Sequence, residues 1–478
     1  MNLRMIAFIL GRVFLIMAAL LLLPFVTGLV YHENVLPFAI TIALTAAVGG
    51  ALMLVRPKSH DIYAREGFAA VGLSWLGMSL LGSLPFVLSG DIPRFIDAFF
   101  ETVSGFTTTG ASVLNDIESL SRAGLFWRSF THWIGGMGVL VFLMAVLPMS
   151  GERSMHIMRA EVPGPTVGKL VPRARQTARI LYLIYTAFTA AETVFLMLGG
   201  MSFYEALLHA FATAGTGGFS TRNASIAAFD SAYIEGVIGV FLVLFGTNFN
   251  LFYLILIGRW REALRSEELH RYLEIIVLCV GLIVIGTAGM YGVSGAIRNG
   301  FFIVMSTIST AGFCTVDYML WPSWLHTLIV LLMFIGGCAG STGGGLKLSR
   351  VMLLVRTAAA DVGRVINPRR VNRVQMDGKR VTAETTGAVY SYVALVMLLM
   401  LGCTLLISFD GYDFSTNFTA ALSCISNVGP GLGLIGPSGN FSIFSSFSKL
   451  VMAFAMLFGR LEVYAMLILF IPSTWRRR

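Results

Sequence analysis

Ten stretches of this chain are each long and apolar enough to cross a lipid bilayer, which takes about 20 residues of helix. They fall at roughly 5–31, 35–56, 66–89, 124–148, 178–200, 233–258, 272–293, 324–356, 386–409 and 444–471. Only 12% of the 478 residues are charged and 56% are hydrophobic, whereas a soluble chain carries about 25% charge. A water-facing surface cannot be coated from that supply. The pattern predicts an all-α integral membrane protein of ten spans. Arg12 interrupts the first apolar run and no small-residue cleavage site follows it, so 5–31 is read as a retained helix rather than a signal peptide.

The net charge of +9 is explained by topology. Of the 34 Lys and Arg residues, 26 fall on one side of the predicted spans: Arg4, the group around Arg56, the 153–179 loop, the 259–271 loop, nine positions from Lys347 to Arg380, and the C-terminal arginines. Arg94, Arg122, Arg128, Arg222 and Arg298 fall on the other. The positive-rich side is cytoplasmic, which places both termini inside. No nucleic-acid partner needs to be invoked. The five cysteines lie in or beside apolar runs without a C-x-x-C pair, and the seven histidines show no metal-ligand spacing. His132 reads as a packed structural residue.

On the outer side a segment recurs four times. Each copy begins with a short stretch of helical character and ends in small residues around a glycine: Phe95 to Ser112, Phe203 to Ser220, Gly300 to Cys314 and Phe414 to Gly431. The key glycines, Gly110, Gly218, Gly312 and Gly429, are 108, 94 and 117 residues apart. Each copy lies between two full spans. The chain therefore divides into two N-terminal helices (1–58) and four span–loop–span units at 66–148, 178–258, 272–356 and 386–471.

Non-helical backbone at membrane depth is tolerated only where it lines water or is buried in protein. Four such loops on one axis would present carbonyl oxygens that replace the hydration shell of an alkali cation. The short helices before them would aim their negative ends at that axis. No ring of Asp or Glu occupies the key positions, which suits a monovalent ion better than Ca²⁺. One glycine-rich loop alone is usually only a turn; four in equivalent places carry the inference.

These segments resemble the filter loops of the Trk/Ktr/HKT superfamily of potassium transporters. The resemblance rests on Ser104–Ser112, Thr216–Thr221, Ser309–Thr315 and Ser426–Gly431, with His132–Gly138 and Phe458–Glu462 also matching. It covers essentially the whole chain, and the two extra N-terminal helices make it most similar to the TrkH-type bacterial potassium uptake subunit. The resemblance implies a K⁺ filter built from Thr108, Thr109, Gly110 and Ala111; Thr216, Gly217, Gly218 and Phe219; Thr310, Ala311, Gly312 and Phe313; and Asn427, Val428, Gly429 and Pro430. In plant members a serine in the first loop accompanies sodium transport, so Gly110 points to potassium. The fourth loop departs most, with Asn427 and Pro430 in place of Thr and an aromatic.

The eighth span is broken by a run in which six of ten residues are glycine: Gly336, Gly337, Gly340, Gly343, Gly344 and Gly345, with Ser341 and Thr342 among them. Each glycine costs a helix interior about 1 kcal/mol relative to Ala, so 336–345 is not a helix. A close-packing kink is one reading. The resemblance implies the other, an intramembrane gate loop below the filter. The run nearly spells a phosphate-binding loop, but Leu346 stands where the lysine is required and Lys347 comes one residue late; no nucleotide site is expected in this chain. Arg460 lies inside the last span, where a charge is costly and marks function or a structural pair, with Glu462 or a loop carbonyl as partner. The resemblance implies that it faces the pore as a barrier to cations. Asn248 and Asn250 sit in an equivalent span, either positioning the gate loop or making ordinary inter-helix hydrogen bonds.

The basic loops 149–177 and 357–385 are too short of core-forming residues to fold as domains and suit lipid headgroups or an acidic partner. The resemblance implies a homodimer in the bacterial cytoplasmic (inner) membrane, seated on a cytosolic TrkA-type nucleotide-binding regulatory ring. Two other classes compete. A secondary transporter coupling K⁺ to H⁺ or Na⁺ by alternating access is expected to show inverted repeats and intramembrane acids; here the repeats share one orientation. A membrane enzyme would need a catalytic cluster within the spans, and the sequence shows none, so no enzymatic activity is expected.

Overall fold

The structure is a computed structural model that describes residues 2–57, 64–138, 174–367 and 374–475. Those residues are helical apart from connecting loops and one two-stranded hairpin. Six helices among them are long and apolar enough to cross a membrane, and a seventh span is a pair of helices bent by 89°. Large apolar side chains such as Val277, Ile285, Leu398 and Leu405 stand exposed on the long helices. That is the reverse of a soluble fold and is what lipid contact requires.

The N-terminal hairpin consists of α1 (Leu3–Leu20) continued by α2 (Leu22–Val30), and α3 (Leu36–Met53). A Cβ on Gly11 would stand 2.8 Å from the Gly49 carbonyl oxygen, and one on Gly49 would stand 2.9 Å from that of Gly11. The two backbones touch there, as small residues allow helices in lipid to do. The next unit opens with α4 (Ala64–Gly82) and α5 (Leu84–Ser89), then the short α6 (Phe95–Phe106) and α7 (Arg122–Gly136). The remainder of the span expected at 124–148 lies outside the described residues, as does most of the 149–177 loop.

The second unit comprises α8 (Ala174–Leu198), the short α9 (Phe203–Ala214), and α10 (Ala232–Gly246) followed by α11 (Phe249–Leu256). The span expected at 233–258 is thus broken. Thr247 is extended and the Asn248 side chain caps the new helix by accepting from the Asn250 amide, so the chain turns where the sequence reads as continuous. In the third unit α12 (Glu267–Ile308) carries both the span and the segment before the loop; Gly292, at φ 69°, is the joint between them. α13 (Ser323–Ile335) ends at the glycine run, and α14 (Leu348–Ile366) follows it. The loop expected at 357–385 is therefore partly helix. It also contains strands β1 (Gln375–Met376) and β2 (Lys379–Arg380), paired antiparallel. Asp377 and Gly378 turn between them at φ 48° and 71°, the Asp-Gly geometry of a tight hairpin.

The last unit comprises α15 (Ala383–Ile407), the short α16 (Phe414–Ser426), α17 (Ser446–Arg460) and α18 (Tyr464–Phe470). Asp413 caps α16, accepting from the Thr416 hydroxyl and amide, and these bonds hold its carboxyl below the usual carboxylate range.

Candidate functional site

Four short helical segments (α6, α9, the end of α12, and α16) each deliver a loop to one place in the protein interior. The backbone there follows one pattern. Thr108, Thr216, Thr310 and Asn427 have φ of 54°, 53°, 64° and 54°, and two residues later Gly110, Gly218, Gly312 and Gly429 have φ of 78°, 76°, 77° and 97°. A residue of negative φ lies between each pair. Alternating hand in this way turns successive carbonyls to the same side of the chain. The glycines accept the left-handed geometry freely; three threonines and an asparagine do not, and are held in it by their surroundings.

The four loops close on one another in cyclic order. A Cβ on Gly110 would stand 1.9 Å from the carbonyl oxygen of Gly217, one on Gly218 1.9 Å from that of Ala311, one on Gly312 2.0 Å from that of Val428, and one on Gly429 2.9 Å from that of Thr109. In each case the oxygen belongs to the residue just before the next loop's glycine. The carbonyls of Thr109, Gly217, Ala311 and Val428 therefore converge, and the glycines leave the room they need. The fourth contact is the loosest, consistent with the divergence of that loop. Its Asn427 replaces a threonine with a longer donor: Nδ2 reaches Thr109 Oγ1 of the first loop at 2.9 Å and the Met456 carbonyl of α17 at 3.0 Å.

Each loop is tied back to its own short helix by different chemistry. In the first, Glu101 accepts from Ser112 Oγ and the Val113 amide, both at 2.9 Å. In the second, His209 Nε2 and Ser220 Oγ share a 3.0 Å hydrogen bond. In the third, Ser306 Oγ donates to the Phe313 carbonyl at 2.7 Å. In the fourth, Thr419 Oγ1 accepts from the Leu432 amide at 2.9 Å. Arg128 joins the first two: Nε donates to Glu101 at 2.7 Å, an Nη to the Ser220 carbonyl at 3.0 Å, and the guanidinium lies 3.5 Å over the Phe219 ring. Arg128 is 2% exposed, so it is a buried clamp rather than the outer loop charge that its position in the sequence suggests. Phe219 also stacks on His132, which is fully buried with Nδ1 2.7 Å from the Gly105 carbonyl. The side chains of Ala111, Phe219 and Phe313 are likewise buried. Among the described residues no three His, Cys, Asp or Glu side chains gather as a metal site; the ligands on offer are backbone oxygens. All five cysteines are free and buried.

A cavity of about 110 Å³ opens on the other side of the ring, lined by Gly110, Gly218, Gly312 and Gly429 together with Arg222, Asn223 and Asn440.

The glycine run lies against the C-terminal ends of the third and fourth of these helical segments. The Gly344 amide donates to Thr310 Oγ1 at 2.7 Å, and a Cβ there would stand 2.3 Å from the Ser426 carbonyl oxygen. Gly336, Gly340 and Gly345 have positive φ. The segment is an irregular loop docked on the bend of the second unit: Cys338 N donates to the Gly246 carbonyl at 2.9 Å, Thr342 Oγ1 to that of Phe245 at 3.2 Å, and Phe249 N to that of Gly340 at 3.1 Å. Gly337 faces Ser341 Oγ, and Gly343 packs on the Ser309 carbonyl. Asn248 stands beside Gly340, which places the 248–250 segment at the loop.

Arg460 donates to the Thr342 carbonyl of the loop at 2.8 Å and to the carbonyls of Gly135 and Gly136 at the end of α7. Glu462 pairs with Arg350 at 2.7 Å. Lys347 and Arg350, counted from the sequence among the cytoplasmic charges, are 0% and 5% exposed. Lys347 sits at φ 74° and its Nζ folds back onto Ser341 Oγ and the Gly343 carbonyl. The charges are inside because the loop supplies carbonyls to receive them. Glu268, in the first turn of α12, was not singled out from the sequence. It is 6% exposed and accepts from the Ala339 and Ser349 amides. No local motif marks it, since its partners lie 71 and 81 residues away.

A set of membrane helices that folds short helices and glycine loops back to a common centre, where backbone carbonyls converge, is the architecture of a transport protein. Residues 35–477 match the TrkH family, described as a cation transport protein, and the chain belongs to that family. It is 36% identical over 486 residues to the Trk system potassium uptake protein TrkH of Escherichia coli K12, covering all of both chains. It is 36% identical to TrkG of the same organism, over 95% of this chain and 94% of that one. The crystal structure of the potassium transporter TrkH from Vibrio parahaemolyticus superposes over 100% of both chains with a TM-score of 0.89 at 33% identity.

Proposed function

We propose that the chain takes up potassium across the bacterial cytoplasmic membrane through a channel-like pore, with the four glycine loops as its filter. The observation that carries this reading is the cyclic closure of the ring, in which each glycine makes room for the carbonyl of the next loop. Four converging backbone oxygens with no carboxylate among them suit a weakly hydrated monovalent cation. Filter sites would be formed by Thr108–Ala111, Thr216–Phe219, Thr310–Phe313 and Asn427–Pro430, with K⁺ as the transported substrate. The 336–345 loop is the gate, since it fills the space on the far side of the ring. Arg460 adds a positive charge there and is the barrier a cation meets next. As the family resemblance implies, the protein would act as a homodimer with a TrkA-type cytosolic ring. The ten-span arrangement with both termini inside belongs to this same reading.

A coupled carrier is the second reading. Glu192, fully buried in α8 beside Thr213 of α9, is an acid at membrane depth, the feature that alternating-access carriers use. Flux in proteoliposomes separates the two. The pore reading expects fast downhill K⁺ and Rb⁺ flux, little Na⁺ flux and no need for a proton gradient. Slow flux that requires a proton gradient and is abolished in Glu192→Gln would replace it with the carrier.

A further inference from the structure

The gate loop is held on three sides by groups already described: the bend at Phe245–Phe249, Thr310 of the third filter loop, and Arg460. On a further side it is held by Glu268, beside the Lys347 bonds already described. One of its oxygens, Oε1, accepts from the Ala339 amide at 2.7 Å and from the Ser349 amide at 3.1 Å. One amide lies within the first half of the loop and the other just beyond its exit. Ser349 is also in the first turn of α14, whose cap position is Lys347, a residue that makes no side-chain capping bond. A helix start leaves amides without intrahelical partners and favours a negative charge. Glu268 supplies both from another helix.

The residue before it faces the other way. Glu267 forms a 2.7 Å ion pair with Arg356 of α14, and its amide donates to Asp377 Oδ1 at 2.8 Å, at the turn of the β1–β2 hairpin. Arg356 in turn donates to the Gln375 carbonyl of that hairpin. Two consecutive residues in one helical turn therefore touch the hairpin and the gate loop. Their backbone is continuous helix, so moving the hairpin moves the carboxylate.

We infer that Glu268 is the positioning residue of the gate loop, capping α14 in trans and tying the loop at Ala339 to the helix that follows it, and that the Gln375–Arg380 hairpin acts on the gate through it. The inference rests on the pore reading above. Losing the carboxylate leaves two buried amides without an acceptor, and the obstructing arrangement loses population relative to any other.

The test is downhill Rb⁺ and Na⁺ flux through the full chain in proteoliposomes, for Glu268→Ala, Glu268→Asp, Glu268→Gln and Asp377→Ala. Glu268→Ala is expected to raise Rb⁺ flux roughly tenfold, the factor equivalent to one lost charge-assisted hydrogen bond, with the Rb⁺/Na⁺ ratio unchanged. Glu268→Gln keeps an accepting oxygen but loses the charge, and is expected to raise flux by less than the alanine variant, about threefold. Glu268→Asp, too short to reach both amides, is expected about threefold up and carries the test if the alanine variant does not fold. Asp377→Ala is expected to give a smaller rise that vanishes in the Glu268→Ala background, because the two act in series. Folded Glu268→Ala or Glu268→Asp protein with flux equal to or below the wild type overturns the positioning role, as does a changed ion ratio. Full additivity with Asp377→Ala overturns the link to the hairpin. Arg460→Ala serves as the reference: if it raises Rb⁺ flux and Glu268→Ala does not, this inference alone fails, whereas no downhill flux in either variant or the wild type sinks the pore reading itself.

Discussion

The ring of glycine loops and the glycine run on its far side use the same residue for opposite ends. In the ring, glycine is spaced once per loop, and each gap is filled by a neighbour's carbonyl at 1.9 to 2.9 Å from where a Cβ would stand. The loops brace each other sterically in a closed cycle, and each is also tied to its own short helix by one side chain. In the run, glycines cluster, the backbone follows no repeat, and the segment is held by discrete side chains from elsewhere: Arg460, Lys347, Glu268 and Thr310. A structure braced by close contact has one shape. A structure held by a few bonds has a shape that can be released. The first suits discrimination between ions and the second suits control of how many pass.

The largest effect that would break this contrast lies behind the first loop. Glu101→Ala leaves Arg128 buried without its partner, and stranding one charge of a buried pair costs about 3–5 kcal/mol. Thermal unfolding in detergent should shift down markedly; an unchanged midpoint would mean that the ring does not depend on that clamp. Next comes the ring itself. Gly110→Ser drives a side chain into the Gly217 carbonyl, and displacing a ligand by about 1 Å is worth on the order of a hundredfold in rate. K⁺ flux should fall and discrimination against Na⁺ should weaken. Gly429→Ala, where the gap is wider, should be milder; equal effects would contradict the looser fourth contact. Third, Arg460→Ala frees carbonyls at both α7 and the gate loop, and should raise K⁺ flux roughly tenfold, as expected for the loss of a charged hydrogen-bond donor, with selectivity intact. The smallest change is expected from Asn427→Thr, which restores the residue of the other three loops but gives up the bond to Thr109. A loss of about 1 kcal/mol in thermal stability, with a few-fold drop in ion discrimination, would fit.

The ring was legible in the sequence because its logic is local and repeated. Four glycines in equivalent places, each after a short helical stretch, mark the loops and their convergence, and the run at 336–345 marks itself by composition. The ties were not legible, because the four loops use a carboxylate, an imidazole, a serine and a threonine for one task. The left-handed Thr108, Thr216 and Thr310 carry no mark either, since threonine gives no hint of positive φ. Charge counting gave no hint that Lys347, Arg350 and Arg128 are buried, because their partners are carbonyls and acids brought in by the fold. Glu462, which reaches Arg350, is 112 residues away. The bend at Thr247 was hidden within an apolar run. The Asp377-Gly378 turn was a readable hairpin signal within a loop otherwise read only for its charge.

Flux and ion ratio should be measured together in proteoliposomes, for Gly110→Ser and Arg460→Ala against the wild type. If the ring selects and the run throttles, Gly110→Ser lowers the Rb⁺/Na⁺ ratio, whereas Arg460→Ala raises total flux and leaves the ratio as it was. A ratio unmoved by Gly110→Ser, or shifted as much by Arg460→Ala, would show that the two regions do not divide the work in this way.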